Sequence, residues 1–188
     1  MKNFKSDRFS YIRINESHAS DTYLSWLDNK TINQYLEVRH SKNDMESLKS
    51  YLNSVSKSND EYLYGIFSGK EHIGNIKIGP VHEIYKHADI GLIIGNQNWW
   101  NKGVASEAIY SMTKYCFNEL KLVKVEAGCY ESNIYSKKAF LKLGYEVEGY
   151  IRDHVFCNGN IEGVYKLGIT QKDWELKTII NSAYNVGI

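Results

Sequence analysis

The sequence predicts a mixed sheet flanked by helices, of the α/β or α+β class, and three observations lead to this class. Two strand-like runs, 62–67 and 72–78, are joined by the Ser68-Gly69-Lys70-Glu71 turn, a pattern typical of an antiparallel hairpin. A long amphipathic run follows, and its apolar positions fall on one helix face: Ala105, Ala108, Ile109, Met112, Cys116 and Leu120. Strand-like and helix-like runs then alternate to the end of the chain.

The other elements follow in chain order. Residues 9–14 predict a first strand, and residues 21–36 predict one or two helices. Asn43 or Asp44 can cap a third helix, because apolar residues recur about one turn apart after it. The later predicted elements are strands at 89–94 and 123–130, a helix at 136–143, and strands at 145–150 and 164–169. No linker or repeat divides the chain, so we expect one domain over residues 1–188, with 171–188 as a C-terminal extension.

The composition and charge of the chain limit the classes of partner that we expect for it. The 188 residues are 43% apolar and 24% charged, which is typical of a soluble domain. Twenty-three basic residues against 22 acidic ones leave a net charge of +1, which disfavours nucleic acid as the main partner. No secretory signal and no apolar run of about 20 residues is present, so we expect no membrane span. Three cysteines without CxxC spacing favour reduced thiols in a cytoplasmic protein and no metal site.

The segment 93–108 has a definite electrostatic meaning. A predicted strand ends, a polar loop follows, and Gly103 opens the long helix. The first-turn N–H groups of a helix lack intrahelical partners, and the helix dipole adds partial positive charge there. Gly103 has no Cβ, and Ala105 and Ser106 are small, so a phosphate can come close. The same pattern also fits an ordinary helix start that contains a glycine.

A second segment, 133–145, joins a strand to a helix. Asn133 is a residue that caps helices, and Gly144 suits a left-handed helix end. An asparagine at this junction can hydrogen-bond an amide-bearing ligand, and Ser136 lies one turn further along the same face. The alternative is that Asn133 is only a cap and Ser136 a solvated helix residue.

In this order and spacing, the two segments resemble the GNAT acetyltransferase superfamily. The first resembles its Q/R-x-x-G-x-G/A coenzyme loop, the second its N-x-x-S/A…K-L-G-F helix, and 146–159 the RimJ/RimL branch. The resemblance spans about residues 12–169. It implies a GNAT fold of the α+β class, with a mixed, mostly antiparallel central sheet. It also implies transfer of the acetyl group of acetyl-CoA to a primary amine by direct attack, with a homodimer as one candidate assembly.

The resemblance assigns roles to residues. Backbone N–H groups of the loop would bind the coenzyme pyrophosphate, at Lys102, Gly103, Val104, Ala105 and Ser106. The strand end would pair with the pantetheine arm as another strand does, at Ile93, Ile94 and Gly95. Asn133 would contact the same arm, and Lys138 or its neighbour Lys137 would reach a coenzyme phosphate.

Two departures bear on catalysis. Trp100 stands where the loop usually has Gln or Arg, and Phe140 where many relatives carry a tyrosine acid. Ser136 is therefore the catalytic candidate, as proton donor or hydrogen-bond donor to the leaving thiolate. The general base stays open among these side chains and a water relay: Asp89, Glu126, Asp153 and His154.

The early helices cover the acceptor site in this family, which makes Trp26, Tyr35 and Arg39 acceptor-binding candidates. Aromatic faces suit a sugar ring or nucleobase and an arginine suits a phosphate, although core packing also accounts for the aromatic residues. The Trp-Leu-Asp…Tyr-Leu-Glu-Val-Arg run resembles GNAT enzymes of surface-polysaccharide biosynthesis. The acceptor is then either a small-molecule amine, such as a nucleotide-linked amino sugar, or a protein N-terminus. A non-catalytic acyl-CoA-binding regulatory module is the alternative function.

Overall fold

One mixed sheet organises the chain. The computed structural model describes residues 2–183, and side chains as far as Lys177. Its strands are β1 (Phe4–Lys5), β2 (Ser10–Arg13), β3 (Tyr62–Ser68), β4 (Glu71–His82), β5 (His87–Ile94), β6 (Lys124–Tyr130), β7 (Glu146–Cys157) and β8 (Asn160–Thr170). Its α-helices are α1 (Asp21–Asp28), α2 (Lys30–Asn33), α3 (Met45–Lys57), α4 (Val104–Asn118), α5 (Ile134–Lys142) and α6 (Gln171–Ala183). Short 3-10 helices lie at Glu16–His18, Glu37–His40 and Gln97–Trp99.

The strand order is β1-β2-β3-β4-β5-β6-β8-β7. Every neighbouring pair is antiparallel except β5 and β6, which are parallel. The predicted α+β fold with a mostly antiparallel sheet is therefore confirmed. Strands β7 and β8 run longer than predicted, because Asn158 (φ 50°) and Gly159 (φ 85°) form a tight left-handed turn that extends their hairpin.

The two parallel strands separate soon after they meet. Their register pairs His87 with Lys124, Ala88 with Val125, and Asp89 with Glu126, and it ends there. Strand β5 nevertheless continues to Ile94 and β6 to Tyr130, so a gap opens between them. Backbone groups on an open strand edge need hydrogen-bond partners, and an extended ligand can supply them.

Two cores cover opposite faces of the sheet. Ala88 and Ile90 of β5 belong to the larger core, which α4 covers, whereas Ile93 packs against the smaller core of α1 and α3. Side chains alternate along a strand, so Asp89 and Gly91 face the α1–α3 side together with Ile93. The gap is therefore open to helices of both layers.

Helix α6 closes the described chain and forms the first part of the predicted extension 171–188. Its Trp174 is only 8% exposed and belongs to the larger core, 5.0 Å from the Tyr110 ring and 6.1 Å from the Phe117 ring between centroids. The last residues of the predicted extension, 184–188, lie outside the described range.

Candidate active site

Helix α4 begins at an open glycine. Gly103 precedes it with φ 74° and ψ 8°, the left-handed region, and no side chain caps the helix. The first N–H bonded back into the helix is that of Glu107, which donates to the Gly103 carbonyl at 3.0 Å. The N–H groups of the turn before it have no intrahelical acceptor. A Cβ on Gly103 would meet only Arg8 Nη2, at 3.6 Å, so an anion can approach these donors freely.

Arg8 is a candidate that sequence reasoning missed. Its Nε donates to Glu107 Oε2 at 2.6 Å, and its Nη1 to the Lys102 carbonyl at 2.9 Å. Ser6 Oγ donates to the same carboxylate at 2.6 Å. Burial alone raises the pKa of Glu107, but hydrogen bonds from Ser6 and Arg8 outweigh it and lower that pKa below its usual value. An ionised Glu107 thus holds a guanidinium beside Gly103, where a phosphate would bind.

The end of β5 lies under two tryptophans. The Ile93 carbonyl faces β4, where it excludes a side chain at Gly74, so the next carbonyl, that of Ile94, faces the gap. Trp100 Nε1 donates to that Ile94 carbonyl at 2.7 Å. The strand end at Ile93 and Ile94 thus lies at the gap, with the Trp100 indole over Ile94, and its part in coenzyme binding stays a prediction.

Trp26 packs closely over Gly95, since a Cβ there would overlap the indole ring. It is only 4% exposed and belongs to the smaller core. Trp26 thus lies beside the predicted coenzyme strand and presents little surface to an acceptor.

Helix α5 starts on the β6 side of the gap. Asn133 caps it by accepting the Ser136 N–H on Oδ1 at 3.2 Å, which leaves its Nδ2 without a partner among the described residues. The cap and the proposed ligand contact are therefore compatible. Burial raises the pKa of the Cys129 thiol, and the Ser136 side chain offsets part of that rise. Phe140 is buried edge-on to Tyr145 at 4.9 Å.

The two candidate phosphate-binding lysines differ in their surroundings. Lys137 Nζ lies 3.2 Å from the centroid of the Tyr165 ring, in a cation–π contact. Lys138 is exposed to solvent. Lys138 is thus the one whose ammonium group can move toward a ligand.

The four candidate bases fall into two places. Asp89 and Glu126 are register partners where β5 and β6 separate. Glu126 Oε2 lies 2.7 Å from His87 Nδ1 and Oε1 lies 3.1 Å from Lys124 Nζ. Asp153 and its neighbour His154 lie instead in an irregular, exposed part of the edge strand β7. The gap therefore brings together two of the four candidates, and Asp89 has no ion pair or hydrogen bond among the described residues.

A cavity of about 580 Å³ opens on the α1–α3 side of the sheet and reaches Gly91, Leu92 and Ile93 of β5. It touches β5 just beyond Asp89, the last residue of that strand in register with β6. Among the described residues that form its wall, Trp26, Tyr35 and Arg39 do not appear. Their part in acceptor binding stays a prediction.

Arg39 and Tyr35 instead fasten the early helices to the far side of the gap. Arg39 donates to the carbonyls of Leu36 at 2.8 Å and Phe156 at 3.0 Å, and its side chain is only 13% exposed. It also donates to Tyr130 Oη at 3.2 Å. Tyr35 Oη donates to the Ser132 carbonyl at 3.3 Å.

Within residues 2–183, no group of three or more His, Cys, Asp or Glu side chains is placed to hold a metal ion. No helix in the same range is long and apolar enough to cross a membrane.

A sheet that opens between two parallel strands, beside an uncapped helix start, has the geometry that suits an extended, phosphate-bearing ligand. Residues 8–146 match the family model described as an acetyltransferase (GNAT) domain. The chain belongs to this family of N-acetyltransferases, as its two motifs predicted.

Curated relatives include an uncharacterized N-acetyltransferase and one whose name gives its acceptor. An uncharacterized N-acetyltransferase p20 of Bacillus licheniformis is 31% identical over 104 residues, 55% of this chain and 58% of the relative. The ribosomal protein uS5-alanine N-acetyltransferase of Escherichia coli is 28% identical over 130 residues, 65% of this chain and 64% of that enzyme. The chain thus spans somewhat over half the length of these curated relatives.

Among solved structures, the spermidine N-acetyltransferase of Vibrio cholerae, in complex with CoA and spermine, has a TM-score of 0.81 at 19% identity. The match covers 90% of this chain and 99% of that one. At this identity the likeness shows the fold alone, and the GNAT fold is confirmed.

Proposed function

We propose that this chain is a cytoplasmic enzyme that transfers the acetyl group of acetyl-CoA to a primary amine by direct attack. The observation that carries the proposal is the gap between β5 and β6, with the Gly103 helix start beside it and a 580 Å³ cavity that reaches β5 at Gly91. A regulatory module that only senses acyl-CoA needs no second cavity. The three free, buried cysteines support a reducing compartment.

The proposed coenzyme site uses both sides of the gap. The pyrophosphate would accept hydrogen bonds from the first turn of α4, and Arg8 adds a positive charge at its edge. The pantetheine arm would bind the open edge of β5 with its amide groups, and Asn133 Nδ2 would reach it from α5. Lys138 is free to approach a coenzyme phosphate.

The reaction would occur where the cavity meets the gap. A neutral amine attacks the thioester carbonyl carbon, the C–N bond forms, the C–S bond breaks, and the thiolate leaves. Asp89 faces the same side as Gly91 and lies two residues before it, about 7 Å along the strand. At that separation one water can carry the amine proton to the carboxylate. Ser136 would supply the hydrogen bond to the departing sulfur.

The acceptor, in this proposal, is a small-molecule amine or a protein N-terminus. The test is an amine panel with released CoA as the readout, and it includes amino sugars, amino acid amides, polyamines and N-terminal peptides. Release that requires both acetyl-CoA and an amine supports the enzyme. Tight acetyl-CoA binding without release from any amine would instead favour the regulatory module.

A further inference from the structure

We propose that the acceptor is a primary amine on an apolar, phosphate-free body, positioned by Asn75 at the floor of the 580 Å³ cavity. This inference rests on the proposed acetyl transfer and deepens it by naming the class of acceptor. It replaces the phosphate-bearing acceptor that Arg39 suggested in the sequence.

The cavity wall is largely apolar. Hydrophobic side chains from α1, α3, β3 and the start of the Glu37–His40 3-10 helix form most of it: Leu27, Leu36, Val38, Leu48 and Leu63. Its volume is in the range of pockets that bury most of a small molecule. Binding there removes water from the acceptor, so a polar body would lose hydration without full replacement.

The charged groups of the wall are already paired. Lys42 Nζ lies 3.2 Å from Asp44 Oδ2, and Lys77 Nζ lies 2.7 Å from Glu61 Oε1. The remaining charge, Glu37, is 78% exposed at its side chain and accepts from Tyr130 Oη. A phosphate finds no unpaired cation among these described residues, and a polyamine finds only one outlying carboxylate. Either ligand would have to break an existing ion pair.

Asn75 is a polar exception in this lining because it is buried. It is 2% exposed, and its Oδ1 lies 2.9 Å from His72 Nε2. His72 packs among the rings of Phe67, Trp26 and Tyr23. Burial among these rings lowers the pKa of His72 below its usual value, so its imidazole is neutral at pH 7. Asn75 Nδ2 has no acceptor among the described residues. A buried donor without a partner is destabilising, and a bound acceptor group relieves that cost.

Asn75 also lies at the right depth. It pairs with Ile93 in the register of β4 and β5, one strand from the open edge of the gap. Adjacent strands are about 4.8 Å apart, and Gly91 lies two residues, about 7 Å, along β5 from Ile93. A ligand whose hydrogen-bond acceptor lies close to its amine can therefore contact the Asn75 side chain and place the amine near Gly91. A carbonyl two bonds from an amine nitrogen, as in a hydrophobic amino acid amide or a hydrophobic N-terminal residue, supplies this arrangement.

The test compares kcat/KM for leucinamide with that for 3-methylbutylamine, which keeps the branched alkylamine and lacks the carboxamide. Spermidine and glucosamine 6-phosphate are the polyamine and phosphate-bearing acceptors for comparison, referred to as the polyamine and phosphate arms. A peptide that begins with leucine distinguishes an N-terminal residue from a free amino acid amide as the acceptor. We expect leucinamide to exceed the polyamine and phosphate arms at least tenfold.

In Asn75→Leu the leucinamide to 3-methylbutylamine ratio should fall about tenfold, the value of one hydrogen bond. Asn118→Leu places the same substitution on the exposed end of α4 and should leave the ratio unchanged. Asn75→Asp keeps an oxygen toward His72 and replaces the free donor by a carboxylate oxygen, so it serves where the leucine variant does not fold.

A preference for the phosphate or polyamine arm, or an unchanged ratio in both Asn75 variants, would overturn the inference. Calorimetry of leucinamide with the CoA complex measures acceptor binding, and so tests the acceptor class separately from the transfer reaction. If no amine releases CoA but leucinamide binds wild type more tightly than Asn75→Leu, the transfer reaction fails and the acceptor class stands. If leucinamide neither binds nor reacts, the inference fails as well.

Discussion

Replacing Gly103 by valine should damage coenzyme binding beyond any effect on stability. Gly103 lies at φ 74°, where a side chain costs about 1–2 kcal/mol. For a chain of this length that lowers Tm by roughly 2–8 °C. A Cβ there has only Arg8 Nη2 within 4 Å, at 3.6 Å, so the isopropyl group would occupy the open space where we propose that the phosphate binds. We expect the Kd for CoA to rise at least tenfold, about 1.4 kcal/mol.

The chain offers a matched control for the strain. Gly69 in the β3–β4 turn has φ 58° and nothing within 4 Å of an added Cβ, so Gly69→Val carries a similar backbone cost away from α4. Thermal unfolding should show comparable losses in both variants, and calorimetry with CoA should separate them. A Kd for Gly103→Val within twofold of that for Gly69→Val would refute the coenzyme-loop assignment.

Three further substitutions test other parts of the site. Ser136→Ala should lower kcat by about 10- to 100-fold at saturating acetyl-CoA, because the hydrogen bond to the thiolate strengthens in the transition state. A wild-type kcat in this variant would show that Ser136 has no catalytic role. Arg39→Ala should raise the acceptor KM, whereas CoA affinity stays near wild type. It should also lower the free energy of unfolding by about 2 kcal/mol, because the contacts with two carbonyls are lost. Denaturant titration measures this loss. Arg8→Gln should weaken CoA binding about threefold to tenfold, and less so at high salt. Glu107→Gln removes the carboxylate charge but keeps the Arg8 charge and one acceptor oxygen for its guanidinium, so it should weaken CoA binding less than Arg8→Gln does. Equal losses in both variants would make Arg8 only a structural tie.

Local patterns were enough to predict much of the fold. The alternation of strands and helices, the Asp44 cap and the glycine at the start of α4 all depend on residues close in sequence, and the structure confirms them. Helix caps and turns are determined by nearby side chains and backbone angles, so a single sequence records them.

The parts that were missed depend on long-range packing. Arg8 and Lys102 meet across 94 positions, and no local pattern indicates that contact. The sequence suggested Arg39 as a phosphate ligand, but the structure places its guanidinium against the nearby Leu36 carbonyl and the Phe156 carbonyl of a distant segment. Asn75 looked like an ordinary strand residue, because an unpaired donor becomes visible only when its surroundings are known.

The gap between β5 and β6 has a thermodynamic consequence for the whole chain. The sheet is continuous across only three residue pairs there, so the β1–β5 half and the β6–β8 half share few backbone bonds. A coenzyme arm bound to β5 and to α5 would contact both halves of the sheet and so connect them. Its binding free energy then adds to the free energy of unfolding, by about 2.7 kcal/mol at a hundredfold excess over Kd. The cellular acetyl-CoA and CoA pool would thus support the native state of this protein as well as its chemistry.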